Sequence, residues 1–249
     1  MKIALQLYSV REDAAKDFAG TLAKVATLGY KGVEFAGYFG IPAVVMKGHL
    51  DRLGLVAAST HVGIELLEGD LDGQIAYAKA LGCPYLVCPG AHVTNKDEIL
   101  ALAKRLSAMA PKVRAAGLVL GYHNHAHEFF AVEGAGAGTS TNGLDLLFAS
   151  TSPADLVVEA DTHWVQRADH SPRTFLRKYA GRVPLIHLKD MSASREDDAA
   201  VGEGIMDTRG IWETAVEAGV VWAIVEMDTA SFEAVSLGIA NLRKMGLVG

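Results

Sequence analysis

The chain has 249 residues, 50% of them apolar and 21% charged, with a formal charge of −6. That length and apolar content fit one large α/β unit, and the acidic balance leaves no basic field for a polyanion, which excludes nucleic acid as the expected partner. The two cysteines, Cys83 and Cys88 in CPYLVC, are too sparse for a disulfide framework and lack the pairing of a zinc ribbon, so both read as buried thiols.

The opening MKIALQLYSV has one lysine and then polar Gln6, Tyr8 and Ser9, unlike a signal peptide. No stretch reaches the roughly 18 uncharged apolar residues of a membrane helix. A cytoplasmic protein with no membrane partner is expected. Short apolar runs follow at 3–7, 32–35, 55–59, 85–88, 118–123, 156–161, 185–189 and 223–226. Stretches with helical periodicity separate them, at 13–28, 41–53, 71–81, 96–116, 142–150, 172–179, 208–218 and 231–245. Segment 96–116 is the clearest, with Ile99, Leu100, Leu102, Ala103, Leu106 and Met109 on one stripe and Lys104, Arg105 and Lys112 off it. Glycines close several helices just before a strand, as in TLGYKGVEF and EAGVVWAIV.

Continuous apolar strands alternating with helices predict a covered parallel sheet. Eight such units predict a closed (β/α)8 TIM barrel, one domain over residues 1–249. An open doubly wound sheet would need GxGxxG after its first strand, and none stands there. Gly134, Gly136 and Gly138 have another spacing and read as a flexible loop.

In such a barrel the site lies where the strands end. The first strand ends in Gln6, Tyr8 and Ser9, the second in Glu34 and the third in His61. The fifth runs into GYHNHAHEFF, with His123, His125, His127 and Glu128; the sixth ends in Asp161 and His163. The seventh ends in His187, Lys189 and Asp190, the eighth in Glu226 and Asp228. Packing does not require so many titratable groups, and their run across neighbouring strands points to one shared site. Carboxylates and a histidine converging without thiolates suit one divalent ion, Mn²⁺, Mg²⁺, Co²⁺ or Zn²⁺, with a position open for substrate oxygens. Such an ion stabilises an enediolate formed next to a carbonyl. A polar cluster whose members merely satisfy one another is the bland alternative.

The strings QLYSVRE, GYKGVEFAG, STHVG, LGYHNHAHEF, EADTHW, HLKD, GEG and IVEMD, in this order and spacing, resemble the xylose isomerase-like barrel superfamily, specifically its sugar phosphate isomerases/epimerases. The resemblance spans nearly the whole chain. It implies a metal set of a glutamate from the fifth strand, an aspartate from the sixth, a histidine from the seventh and a glutamate from the eighth. By position the last three are Asp161, His187 and Glu226. Relatives carry the first within Glu-Asn-His, whereas His123 stands there in this chain, and Glu128 is preferred over His123 as the fourth ligand. The implied reaction is isomerisation or epimerisation of a sugar or keto-sugar, with Glu128 and Glu226 on opposite faces of the substrate as the acid–base pair. Lys189 then reaches a developing oxyanion, an ordinary salt bridge being its alternative. His61, His123, His125, His163 and Glu203 are expected to hold substrate. Glu34 lines the opposite wall, and Trp164 offers the sugar an apolar face, while Trp212 and Trp222 are expected in the core.

Three other readings stay open. The same enediolate can expel a β-hydroxyl, giving a dehydratase or a lyase on a keto-inositol or 3-keto-glycoside. Displacement of the fifth-strand glutamate allows a sugar-binding barrel without turnover. A zinc-dependent abasic-site endonuclease ranks last because the chain lacks a basic stripe. No phosphate loop or arginine cluster ends the last strands, so an unphosphorylated substrate is expected. Exposed apolar helix faces make a homo-oligomer a further expectation.

Overall fold

The computed structural model describes residues 1–132 and 142–249, and the run containing Gly134, Gly136 and Gly138 lies outside the described residues. Ten strands occur among them: β1 (Lys2–Gln6), β2 (Gly32–Ala36), β3 (Val56–His61), β4 (Tyr85–Cys88), β5 (Val119–His123), β6 (Val157–Asp161), β7 (Leu185–Leu188), β8 (Asp190–Met191), β9 (Asp198–Ala199) and β10 (Trp222–Val225). The first seven and β10 close into an all-parallel barrel of order β1-β10-β7-β6-β5-β4-β3-β2. The fold is the (β/α)8 barrel that the apolar runs predict. The short pair β8 and β9 forms an antiparallel hairpin outside it.

Helices fill the connections where the periodicity places them, within one or two residues for 71–81, 96–116 and 208–218. Gly29 and Gly219 end their helices at φ of 95° and 86°, left-handed values that a side chain would strain. Segment 13–28 is not one helix but two, Arg11–Lys16 and Phe18–Leu28. Asp17 breaks it at φ −150°, and its carboxylate caps the second helix by accepting the Gly20 N–H at 2.9 Å. No described helix is long and apolar enough to cross a membrane.

Side chains alternate across each strand, and the two faces meet different surroundings. Leu5, Val33, Phe35, Leu86, Leu120, Tyr122, Val158, Ile186 and Val225 face the helices and join the main core. Inside the barrel a smaller cluster of Ala4, Ala58, Val87, Leu185, Trp222 and Ile224 forms the floor. Trp222 fits there because Gly32 has no side chain: a Cβ at residue 32 would come within 3.0 Å of the indole. Above this floor the inward positions turn polar. A register shift between Val33 and Glu34 sets Glu34 beside Ser59 of β3, so these polar side chains meet inside the barrel.

Both cysteines are buried and unpaired. Burial pushes each thiol up to about 12. A raised folded-state pKa favours the neutral thiol, so this contribution to stability is present below the ordinary thiol range and lost as pH rises towards about 12. Iodoacetamide at pH 8 is therefore expected to leave Cys83 and Cys88 unmodified in the native protein and to alkylate both in denaturant, as read by mass spectrometry. Alkylation of the native chain at the denatured rate would show the thiols to be accessible.

Candidate active site

The polar mouth is built by inward positions two residues apart. On β6 these are Glu159 and Asp161, and on the chain through β7 they are His187 and Lys189. His123 ends β5, Glu34 lies on β2, and Glu226 follows β10 directly. Asn124 links β5 to β6, its Oδ1 accepting the Asp161 N–H at 3.0 Å and its amide donating to the Asp161 carbonyl at 3.4 Å. Asp161 also caps the helix Thr162–Arg167, with Oδ1 accepting the N–H groups of His163 and Trp164 at 2.9 and 3.0 Å. Oδ2 is thereby left to face the barrel axis.

One donor atom each from His123, Asp161, His187 and Glu226 lies within 4.8 Å of all the others. His187 Nδ1 is 2.6 Å from Glu226 Oε2 and 3.8 Å from Asp161 Oδ2, while His123 Nε2 is 3.1 Å from His187 Nδ1 and 3.3 Å from Asp161 Oδ2. Three of the four residues expected at the cation thus come together. The fourth residue of this group is His123, and the preferred Glu128 lies in a different one. The reason is strand parity: Tyr122, beside His123, points outward to the helices, and its hydroxyl donates to Glu128 Oε1 at 2.8 Å. Glu128 is buried against Tyr122, and its Oε2 also accepts the His125 N–H at 2.7 Å.

Lys189 is 2% exposed and fills the remaining space among these groups. Its ammonium donates to Glu226 Oε2 and Asp228 Oδ1, both at 2.8 Å, and lies 3.1 Å from Asp161 Oδ2. Burial alone would lower its pKa, but the three carboxylates outweigh that and raise it well above the lysine range. Burial likewise opposes ionisation of Asp161 and Glu226, and the Lys189 and His187 charges hold both carboxyls well below the usual range. His123 is pushed down to about 3 by burial and by the neighbouring His187 charge. It is therefore a neutral imidazole at physiological pH, the form that ligates metals.

A second polar layer lies beneath, around Glu34, His61, Glu159 and His187. His187 Nε2 donates to Glu34 Oε1 at 2.6 Å, and His61 Nε2 donates to Glu159 Oε2 at 2.6 Å. Gln6 donates to Glu34 Oε1 at 2.6 Å, and the Ser59 hydroxyl donates to Oε2. Burial raises the Glu34 pKa, yet His61 and His187 bring it well below the carboxylate range. Burial and the Glu34 charge push Glu159 up to about 8. The spacing of two before Asp161 was the available sign of Glu159, which the strand-end reading overlooks because it counts only terminal residues.

Two neutral or neutralisable imidazoles and two ionised carboxylates form a donor set that fits a divalent cation. Two ligands at roughly 2.0–2.2 Å from one ion lie up to about 4.4 Å apart, and the four spans above, 2.6–3.8 Å, fall inside that limit. Glu34 on the far nitrogen of His187 is the outer carboxylate that metal-binding histidines commonly have. The Lys189 ammonium shares Asp161 Oδ2 and Glu226 Oε2 with this set, so it and a cation compete for the same oxygens.

The mouth opens into a cavity of about 490 Å³ walled by Tyr8, Ala36, Pro89, His61, His123, His125, Lys189, Glu226 and Asp228. His163 and Glu203 are not on that wall. His163 is buried behind it, with Nδ1 donating to the Asp190 carbonyl at 3.1 Å. Glu203 accepts from Asn241 at 2.7 Å on the outer surface. The GEG loop instead wraps the buried Asp190 carboxylate, which accepts N–H groups from Gly202 and Met206 at 2.9 and 3.0 Å. Gly204 is needed there, since a Cβ would meet Asp190 Oδ1 at 2.2 Å. Trp164 packs beside the site, with the Lys189 ammonium 5.4 Å from its ring centre, and Trp212 and Trp222 lie in the core as expected.

Fold and mouth together define the class: a closed (β/α)8 barrel whose strand ends gather acids, imidazoles and one ammonium around a cavity. Residues 22–245 match the family described as the xylose isomerase-like TIM barrel, and the chain belongs to that family. Among curated proteins it is 27% identical over 156 residues to an inosose dehydratase of Lacticaseibacillus casei, covering 55% of this chain and 49% of that protein. An inosose dehydratase of Clostridium beijerinckii is 25% identical over 199 residues, covering 71% of this chain and 64% of its own length. The chain thus spans about half to two thirds of the length of these relatives. A sugar phosphate isomerase/epimerase structure from Parabacteroides distasonis superposes with a TM-score of 0.87 at 25% identity, over 100% of this chain and 99% of that one.

Proposed function

We propose that this protein is a divalent-cation-dependent dehydratase or lyase acting on a ketone derived from a sugar or cyclic polyol. The observation that carries this reading is the position of the acid–base candidates. Glu226 and Lys189 stand 2.8 Å apart on one wall of the cavity, while Glu128, the expected partner on the opposite face, is not on the wall. Returning a proton to the opposite face of a carbon requires groups on both sides. Elimination from one face requires only a base and an acid side by side.

In this reading His123, Asp161, His187 and Glu226 hold the cation. What a cation held there would supply is polarisation of the substrate carbonyl, which would make the adjacent C–H more acidic. Glu226 accepts that proton. Protonation of Glu226 removes one of the three negative charges around Lys189, which makes the ammonium a better acid at the moment the β-hydroxyl departs. Lys189 gives its proton to the leaving oxygen, water is released, and the proton on Glu226 restores the ammonium across their 2.8 Å contact. His61 and His125 on the wall offer hydrogen bonds to the remaining hydroxyls. The names of the two curated relatives support dehydration, and the name of the superposed structure supports a second reading, epimerisation.

The test incubates the protein with a panel of polyol-derived ketones and keto-glycosides in deuterated water, with Mn²⁺ and after chelation. An enone or a released aglycone that depends on Mn²⁺ is expected. Deuterium wash-in with an epimer and no enone would select epimerisation, and no cation-dependent exchange on any substrate would overturn both. Lys189→Met is expected to lower turnover about 10²- to 10⁴-fold without weakening Mn²⁺ binding, because the competing ammonium is gone. Calorimetry and steady-state kinetics check this; cation affinity falling together with turnover would make Lys189 a structural group.

A further inference from the structure

Beyond the four cation-facing residues, a second group of donors lies where the chain leaves β5. His125, His127 and Glu128 each place one donor atom within 4.8 Å of the other two. Glu128 is fully buried and held at both oxygens, by the Tyr122 hydroxyl at 2.8 Å and the His125 N–H at 2.7 Å, which fixes its carboxylate and leaves further lone pairs free. His127 Nε2 is 3.5 Å from Glu128 Oε1 and donates to the Ala91 carbonyl at 2.9 Å.

Two observations point to a ligand. First, His125 Nδ1 is buried and has no hydrogen-bond partner among the described residues. An unsatisfied buried polar atom is costly and calls for an ion or water in its place. Second, the absence of a side chain at Gly90 keeps the two donors uncovered: a Cβ there would crowd His125 Nδ1 at 2.9 Å and stand 3.8 Å from Glu128 Oε1. Both donors therefore border the same glycine.

We propose that His125, His127 and Glu128 form a second divalent-cation site, of the zinc and cobalt class, at the rim of the cavity. Two imidazoles and a carboxylate match an open zinc site, with a fourth position for water or a substrate oxygen. His127 is 44% exposed and supplies the way in from solvent. His125 walls the cavity, so the ion faces whatever ligand the barrel holds. The site shares no residue with His123, Asp161, His187 and Glu226, and of the groups in the proposed reaction only the substrate contact His125 belongs to it.

The test titrates the metal-free full chain with Co²⁺ and with Zn²⁺, counting bound metal after desalting and following the cobalt absorption spectrum. Wild type is expected to bind two equivalents. His127→Ala, a change at an exposed side chain, is expected to bind one, and to lose the cobalt spectrum of one site; Asp161→Asn is also expected to bind one. His127→Ala with wild-type stoichiometry and spectrum would overturn the rim site, as would a single wild-type equivalent lost only in Asp161→Asn. A single equivalent lost in His127→Ala but kept in Asp161→Asn would support the rim site and overturn the proposed reaction instead. Melting curves of the variants separate loss of a ligand from loss of the fold.

Discussion

Asp161→Asn is expected to weaken divalent-cation binding by more than the roughly 10- to 100-fold typical of changes outside the ligand set and to remove turnover. Asparagine keeps the oxygen that caps the helix Thr162–Arg167 through the His163 and Trp164 N–H groups. It loses the charge that Oδ2 presents to His123, His187 and Lys189. Stability should fall by about 1.5–3 kcal/mol, because a charged hydrogen bond of that size is lost while Glu226 and Asp228 still pair Lys189. Calorimetric titration with Mn²⁺ beside a thermal melt makes the distinction. Unchanged Mn²⁺ affinity in a folded Asp161→Asn protein would mean that the cation, if bound, sits elsewhere.

The second large effect is expected inside the barrel. Glu34→Gln removes the ionised carboxylate that neutralises the fully buried His187 and, at the cavity wall, His61. Breaking one partner of a buried ion pair costs about 3–5 kcal/mol, a fall of roughly 6–20 °C in melting temperature for a chain of this size. His187→Gln should be costly as well, since it strands Glu34 and Glu226. The double variant Glu34→Gln/His187→Gln should cost less than the sum of the two, because neither leaves an unpaired partner in the other's place. Additive losses would show that the 2.6 Å contact carries no coupling. Glu34→Gln is also expected to loosen cation binding about 10- to 100-fold, through the orientation of His187.

The proposed reaction differs from the expected one for a geometric reason. Five residues separate Glu128 from His123 in the sequence, close enough for either to reach the strand end. Parity along β5 decides between them: Tyr122 faces the helices, the turn His127–Phe129 follows it outward, and Glu128 is anchored to the tyrosine instead of the barrel axis. The proposal therefore rests on Glu226 and Lys189 on one wall and not on a pair across the substrate.

The alternation of apolar runs with helical periods determined the closed barrel, because a parallel sheet must cover its outer face with helices and eight such units close on themselves. The same order placed Asp161, His187, Lys189 and Glu226 at one mouth, since parallel strands all end on the same side. Tertiary structure alone decided what depends on the inward or outward sense of a residue and on neighbours far apart in sequence. It set His123 rather than Glu128 beside Asp161, joined Glu34 to His187 across 153 positions, and turned Glu203 and His163 away from the cavity. Those contacts arise from strand register and barrel closure, which bring side chains together through space and leave no local pattern along the chain.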